Sequence, residues 1–283
     1  QAKFMEAPLN MAAALAPLMG PDAQADTRSW VFTSATLGLD ESLSWFTEPA
    51  GLKDHAAVLR VASPFDYRSQ ACLHVPEGLP EAQDPDHAAA LAQWLVEPVR
   101  RLGGRTLVLA TSLRALADLA RQLQQGMAGS GIDVLVQGQG SRRRLLERFR
   151  QGGGAGRPCM LLASGAFWEG VDVPGDALQM LVIDKLPFPV PDDPLVQARS
   201  QALRQQGLSP FEAYVLPETA MALKQGAGRL IRSETDRGVL VVADERLLQR
   251  SYGPALLAAL PDMPALQGHE ALMQALMALR QEG

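Results

Sequence analysis

The segment Gln225-Gly226-Ala227-Gly228-Arg229-Leu230-Ile231-Arg232 spaces an amide and two guanidiniums four and then three positions apart. If helical, it puts Gln225, Arg229 and Arg232 on one face. Two forked guanidiniums beside an amide suit a phosphate chain. Gly226 and Gly228 each cost a helix about 1 kcal/mol against alanine, a cost that makes sense where something must approach the backbone closely. The competing reading is a surface helix whose arginines pair with Glu234 and Asp236.

A second constellation, Phe167-Trp168-Glu169-Gly170-Val171-Asp172-Val173-Pro174-Gly175, directly follows an apolar run. Loops at the carboxyl ends of parallel strands are where open α/β sheets bind ligands. Glu169 and Asp172 can accept hydrogen bonds from arginines or a ribose. Phe167 and Trp168 can stack on bases, although core packing is the commoner fate of such aromatics. A third, Ser141–Arg150, carries five arginines against one glutamate, a local charge of 5 − 1 = +4 on an otherwise acidic chain. Such a run reads either as a solvated helix face or as phosphate contacts to a nucleic acid, with Ser141 capping the helix. Thr111-Ser112, at another strand–helix junction, offers hydroxyls and backbone N–H groups to a phosphate.

Other chemistries find less support. There is no Gly-x-x-x-x-Gly-Lys-Ser/Thr, no Gly-x-Gly-x-x-Gly after the first strand and no Gly-x-Ser-x-Gly. His55, His74, His87 and His269 are scattered and read as structural or surface residues. Val239–Glu245 resembles a strand ending in a magnesium-binding acid pair, but no phosphate loop precedes it. Asp244 is therefore expected to cap the next helix.

The elements that must position these residues follow from periodicity. Residues 1–29 look helical, and Trp30-Val31-Phe32-Thr33 reads as a short buried strand ending in Ser34-Ala35-Thr36-Leu37. Residues 38–83, broken by Pro64, Pro76 and Pro80, read as a mixed connector. From about residue 85 helix and strand alternate. A helix starts at Asp84 or Asp86 and stops at Gly103-Gly104, a strand covers Thr106–Ala110, and Ser112 caps a helix to about Gln125. Strands at 132–136, 159–163, 180–183 and 238–243 are interleaved with helices at 141–149, 192–206 and 212–233, and two short helices finish the chain. This alternation predicts an α/β fold, a parallel sheet with crossover helices.

The 283 residues suffice for one large or two small domains, and the net charge of −5 with 47% apolar residues excludes a disordered tail or a uniformly basic coat protein. Cys72 and Cys159, 87 positions apart, cannot build a disulfide framework, a zinc ribbon or a four-cysteine cluster. This usage suits a reducing, cytoplasmic location. No apolar stretch is long enough to span a bilayer.

The order of the motifs is more specific than any one of them. Thr33–Leu37, Leu109–Ser112, Phe167–Gly175, Lys185-Leu186-Pro187-Phe188-Pro189 and Gln225–Arg232 together resemble the later motifs of superfamily 2 helicases. The match is nearest the DinG/XPD family of iron–sulfur DNA helicases, of the DinG and YoaA kind, and Ser63–Tyr67 resembles that family's entry into its second motor domain. The resemblance implies a RecA-like fold of the P-loop NTPase type. It divides the chain into 1–37, the end of motor domain one; 38–62, a connector; and 63–283, motor domain two.

It also implies roles. Ser34 and Thr36 would couple hydrolysis to domain movement. Thr111, Ser112, Arg142, Arg143 and Trp168 would contact DNA. Glu169, Gly170, Asp172 and Gly228 would face ATP. Arg232 would be the arginine finger, with Arg229 and Gln225 beside it at the phosphates. The family's Walker lysine, Mg²⁺-binding acids and cluster cysteines are absent here. ATP and Mg²⁺ are thus expected to be held mainly by the first motor domain, with the iron–sulfur cluster elsewhere in the parent protein, and this chain alone is expected to be inactive. The expected partners are single-stranded or forked DNA, the chain's own N-terminal motor domain and replication or repair proteins, with no membrane. From another class comes the alternative of a non-catalytic module, a degenerate RecA-like fold that binds single-stranded DNA or a partner without turnover.

Overall fold

The computed structural model describes residues 11–19, 29–34, 36–38, 40–152, 156–167, 173 and 175–282. The chain divides into two compact units, Gln1–Ala62 with Phe188–Met221, and Ser63–Pro187 with Ala222–Gly283. In chain order the helices and strands begin with α1 (Met11–Met19), α2 (Ser44–Thr47), α3 (Tyr67–Gln70), β1 (Ala71–His74), α4 (His87–Leu102), β2 (Thr106–Ala110), α5 (Leu113–Gly126) and β3 (Asp133–Val136). They continue with α6 (Arg142–Gln151), β4 (Cys159–Ser164), β5 (Met180–Ile183), α7 (Pro194–Gln205), α8 (Leu216–Ala227), β6 (Gly238–Val242), α9 (Arg246–Gln249), α10 (Gly253–Ala259) and α11 (Gly268–Glu282).

The second unit holds a six-stranded sheet in the order β1-β6-β5-β2-β4-β3, with every pairing parallel. Alternation along the strands sends side chains to opposite faces. Val108, Ala110, Met160, Leu162, Val182 and Val241 join one core with α4, α5 and α11. Their neighbours Leu107, Leu109, Leu161, Ile183 and Leu240 are equally buried. A sheet covered on both faces explains why its central strands read as unbroken apolar runs. Leu91, Leu95, Val99 and Leu102 make the buried stripe of α4, and Leu116, Leu119 and Leu123 that of α5. On α11, Leu272, Met273, Leu276 and Leu279 are spent on this core, so its apolar stripe is packing.

Local signals set the element ends. Ser112 caps α5 by accepting Ala115 N–H at 3.1 Å, and Ser141 caps α6 through Arg144 N–H at 3.3 Å. Gly103 ends α4 in a left-handed conformation at φ 80°. The backbone then turns at Gly104, φ 90°, where a Cβ would stand 2.6 Å from the Cys159 carbonyl.

Four expectations are corrected. Trp30–Thr33 is not a strand: Trp30, Val31 and Phe32 are exposed, with Phe32 resting on Phe46. A strand needs a neighbouring ladder for its N–H and C=O groups, and none exists among the described residues of the first unit. Residues 38–83 are not only a connector, since they contain β1, a four-residue edge strand too short and Pro-flanked to stand out. The expected helix over 212–233 is a π-turn at Phe211–Val215 followed by α8, which stops at Ala227. The chain ends in three helices rather than two, the last of 15 residues.

In the first unit, the Asp40 carboxylate accepts the N–H and hydroxyl groups of Ser42 and Ser44 just ahead of and at the start of α2. Those hydroxyls hold it well below the usual carboxylate range. Within Phe188–Met221, Asp193 caps α7 through Leu195 and Val196 N–H, and Arg199 lies over the Tyr214 ring and beside Glu218.

Candidate functional site

All strands of the sheet run the same way, so its two edges present different groups. At the carboxyl edge, β5 ends in Asp184, β2 in Thr111-Ser112, β4 in Ser164 with a 3₁₀ turn at Gly165–Phe167, and β6 in Asp244. Side chains stitch these ends together. The Asp184 carboxylate accepts Thr111 N–H at 2.9 Å and the Thr111 hydroxyl at 3.3 Å. The side-chain oxygen of Gln137 accepts Ser164 N–H at 2.7 Å. Asp244 accepts Leu186 N–H at 2.9 Å and takes both sides of the Arg246 fork, at 2.9 and 2.7 Å. Burial raises the Asp184 carboxyl to about 6, an effect moderated by Lys185 and by the Thr111 contacts.

Arg142 and Arg143 stand at the same edge, at the start of α6. The Arg142 guanidinium lies 5.2 Å from the centroid of the Phe167 ring, and Phe167 is itself buried. Arg143 is exposed and pairs with Glu147 at 2.8 Å. Arg148, by contrast, is drawn into the fold, 2.7 Å from Asp133. The charge of the arginine run is therefore unevenly available, because one of its members braces β3. The N–H and hydroxyl of Thr111 are both engaged by Asp184.

Gln225, Arg229 and Arg232 do not share a helix face, which corrects the helical reading. Gln225 is in the last turn of α8. Arg229 follows the helix in a turn closed by Arg229 N–H to Gly226 C=O at 3.0 Å, and Leu230 N–H bonds Ala227 C=O at 3.1 Å. Beyond this turn, Asp236 anchors the segment. One oxygen accepts the N–H groups of Arg232 (2.7 Å) and Ser233 (3.0 Å), and the other accepts Ser233 Oγ–H and Gly175 N–H (3.1 Å). Gln70 donates to the carbonyls of Ser233 (2.9 Å) and Asp236 (3.1 Å).

These contacts lie just ahead of β1 and β6, at the amino edge of the sheet. Burial raises the pKa of the half-buried Tyr67 phenol, opposed by a hydrogen bond with Ser63 and then by the Arg232 charge. Tyr67 belongs to the Ser63–Tyr67 segment, so the structure joins two motifs that lie far apart in sequence. The Nε atoms of Arg229 and Arg232 are buried. Gly228 has Lys224 and Gln225 carbonyls as neighbours, where the bare backbone permits close approach.

Ser34 and Thr36, in the first unit, contact each other: Thr36 N–H donates to Ser34 Oγ at 3.1 Å. Trp168, Glu169, Gly170 and Asp172 lie outside the described residues. Sequence reasoning missed Asp184 and Gln137, and it named Asp236 only as an ion-pair partner of the arginines, not as the acceptor of backbone N–H groups. Each of the first two is a single polar residue beside an apolar run or a glycine turn, and only its partner across the fold marks it out.

No three metal-ligating side chains converge among the described residues. Cys159 is buried, its thiol pushed up to about 11 by burial, and Cys72 is half-buried. An iron–sulfur cluster does not fit this donor set. Asp244, half of the acid pair noted in the sequence, is committed to Arg246 and also accepts Arg246 N–H, a cap-like contact. Among the described residues, no helix is long and apolar enough to cross a membrane.

Comparison with known proteins agrees with this architecture. Residues 95–263 match the helicase C-terminal domain family. The chain is 45% identical over 236 residues to the ATP-dependent DNA helicase YoaA of Escherichia coli K12, covering 83% of this chain and 36% of that protein. It is 34% identical over 260 residues to the 3'-5' exonuclease DinG of Bacillus subtilis 168, covering 90% of this chain and 28% of that one. It thus spans about a third of the length of these relatives. An apo XPD structure shares the fold with a TM-score of 0.52 at 16% identity, over 71% of this chain and 40% of the other. A parallel sheet flanked by helices, with these relatives, shows that the chain belongs to the helicase C-terminal domain family and has the RecA-like second-motor fold of DinG/XPD-type superfamily 2 helicases.

Proposed function

We propose that this chain is the C-terminal motor half of an ATP-dependent DNA helicase. It couples ATP hydrolysis to translocation on single-stranded DNA and to duplex unwinding, 5′→3′, in cytoplasmic DNA repair or replication. Residues 1–37 close the first motor domain, 38–62 connect, and 63–283 form the second. Arg232 supplies the finger that neutralises charge on the transferred phosphoryl group, with Arg229 and Gln225 beside it and Glu169, Gly170, Asp172 and Gly228 lining the nucleotide. ATP and Mg²⁺ rest mainly on the first motor domain. Ser34 and Thr36 couple the two. Thr111, Ser112, Arg142, Arg143 and Trp168 track the strand.

The observation that carries this reading is the division of candidate residues between the two edges of one sheet. The Arg229–Asp236 turn lies at the amino edge, and the hydroxyls of Thr111 and Ser112 with the first arginines of α6 lie at the carboxyl edge. A rigid sheet between two such sites lets a change at one be transmitted to the other. Binding through phosphates gives sequence-independent, salt-sensitive affinity.

The test is single-strand-stimulated ATP hydrolysis by the protein that carries this chain together with its first motor domain. Arg232→Ala is expected to lower turnover by about 10³–10⁵ while DNA binding persists. Undiminished turnover would remove Arg232 from the finger role. No DNA-stimulated turnover in the unaltered protein would favour a non-catalytic binding module. The 283-residue chain alone is expected to show no robust hydrolysis.

A further inference from the structure

Thr111 stands at the carboxyl end of β2, where a strand phosphate would be read, yet one side chain engages both of its donors. Asp184 accepts the Thr111 N–H on Oδ1 at 2.9 Å and the hydroxyl proton on Oδ2 at 3.3 Å. An ionised carboxylate only accepts. While Asp184 is ionised, the threonine oxygen can therefore turn only lone pairs toward a phosphate, itself an acceptor. A proton on Asp184 reverses the bond: the carboxyl O–H donates to Thr111 Oγ1, and the Thr111 O–H is released toward the strand. The buried negative charge disappears in the same step.

Resting on the assignment of Thr111 to the DNA path, we propose that Asp184 is a positioning residue that switches Thr111 between a lone-pair face and a donor face, so that binding a single-strand phosphate takes up one proton from solvent.

The backbone holds Asp184 in place for this. Its N–H bonds the Leu109 carbonyl at 3.1 Å, and its carbonyl faces His87 Nε2 at 2.9 Å, so the backbone that carries the carboxyl is fixed beside Thr111. Asp184 is 2% exposed and Thr111 is half-buried, so a strand reaches the acid only through the threonine. Burial raises the carboxyl to about 6, within reach of neutral conditions. The charged and titratable groups facing it are Lys185 next in the chain and His87 on α4, and both favour the ionised form. On the neighbouring strand, the Asp244 carboxylate is already paired with Arg246.

The experiment measures binding of a fluorescent oligo-dT strand to the full chain at fixed salt, at about pH 5.5 and about pH 8. Asp184→Asn keeps an acceptor for Thr111 N–H and offers an amide donor to Thr111 Oγ1, mimicking the protonated acid. It is expected to bind about tenfold more tightly than the unaltered chain at the higher pH, and equally at the lower. The unaltered chain should itself gain about tenfold on acidification. Thr111→Val should abolish that gain, and Thr111→Ser should keep it. The comparison of threonine with valine needs no change at position 184, so a poorly folded Asp184→Asn would still leave the switch open to refutation. If Thr111→Val weakens binding but neither acidification nor Asp184→Asn strengthens it, the switch is overturned and the strand path stands. If Thr111→Val binds like the unaltered chain at both pH values, Thr111 is not on the path and both ideas fall.

Discussion

The Asp236 carboxylate holds Arg232 by its backbone, accepting the arginine N–H at 2.7 Å, while its other oxygen accepts Gly175 N–H at 3.1 Å. One buried acid thus joins the end of the Gln225–Arg232 segment to the turn that leads into β5. A carboxylate that accepts from several N–H and O–H groups sets the position of the backbone from which a guanidinium reaches out. This places the arginine before any ligand arrives.

Removal of that anchor should be costly. Asp236→Ala strips the acceptor from three backbone N–H groups and the Ser233 hydroxyl. A drop of about 2–4 kcal/mol in folding stability is expected, read from urea unfolding of the chain. An unchanged unfolding midpoint would show that the turn is held by other contacts.

Gly238 opens β6 where a Cβ would stand 2.6 Å from Leu230 Cδ1 and 2.9 Å from the Gln179 carbonyl. Gly238→Ala is expected to destabilise by about 1–3 kcal/mol and to displace Leu230, and with it the arginines on either side. Thermal unfolding reports the first effect and the tyrosine titration of Tyr67 the second, since Arg232 acts on that phenol.

Asp184 should make stability depend on pH in a direction unusual for a carboxylate. Its folded pKa, about 6, lies above its unfolded value of about 3.9. Between those values the folded state binds more protons, so its stabilising contribution is complete below about pH 4 and is lost as pH rises through about 6. Asp184→Asn should accordingly be more stable than the unaltered chain at about pH 8, by about 2 kcal/mol, with the difference shrinking toward about pH 4. Urea unfolding at both pH values checks the sign. A variant less stable at the higher pH would mean that the ionised acid stabilises the fold.

The Asp244–Arg246 pair is bidentate and nearly enclosed, the two side chains being 1% and 17% exposed. Arg246→Ala leaves a buried carboxylate without its cation, for an expected destabilisation of about 3–5 kcal/mol. Arg246→Lys cannot reproduce the planar fork and should recover only part of this. Equal stability of the lysine variant and the unaltered chain in thermal unfolding would show that charge alone suffices.

Arg142 and Arg143 should separate in a salt titration of DNA binding. For a single strand, each phosphate that an arginine no longer neutralises lowers the slope of log affinity against log salt by about 0.7. Arg143→Ala should change the slope alone. Arg142→Ala should also perturb the Phe167 turn on which its guanidinium rests, detectable as a change in folding stability. If neither variant alters the slope, the start of α6 is not on the strand path.

Much of this was legible in the residues themselves. Thr106–Ala110, Met180–Ile183 and Gly238–Ala243 read as strands because a parallel sheet buried on both faces demands continuous apolar runs. Ser112 and Ser141 read as caps because a helix start leaves N–H groups that a hydroxyl can satisfy within three residues. Both kinds of signal are local, so linear spacing contains them. Trp30–Thr33 shows the limit, for an apolar run becomes a strand only where a partner ladder exists.

The chemistry-bearing groups divide in the same way. The sequence alone singled out Thr111, Ser112, Arg142, Arg229 and Arg232 as candidate phosphate contacts, by residue type and by the order of their motifs. Tertiary structure decided which of their polar atoms are engaged and by what: Asp184 on Thr111, Asp236 on the Arg232 backbone, Asp133 on Arg148. These partners lie 73, 4 and 15 positions away in the chain. Only the 4-residue contact has a local turn to announce it. Asp184 reaches Thr111 because β5 lies beside β2, and strand order is a property of the whole sheet, whereas Asp133 meets Arg148 because α6 folds back along β3.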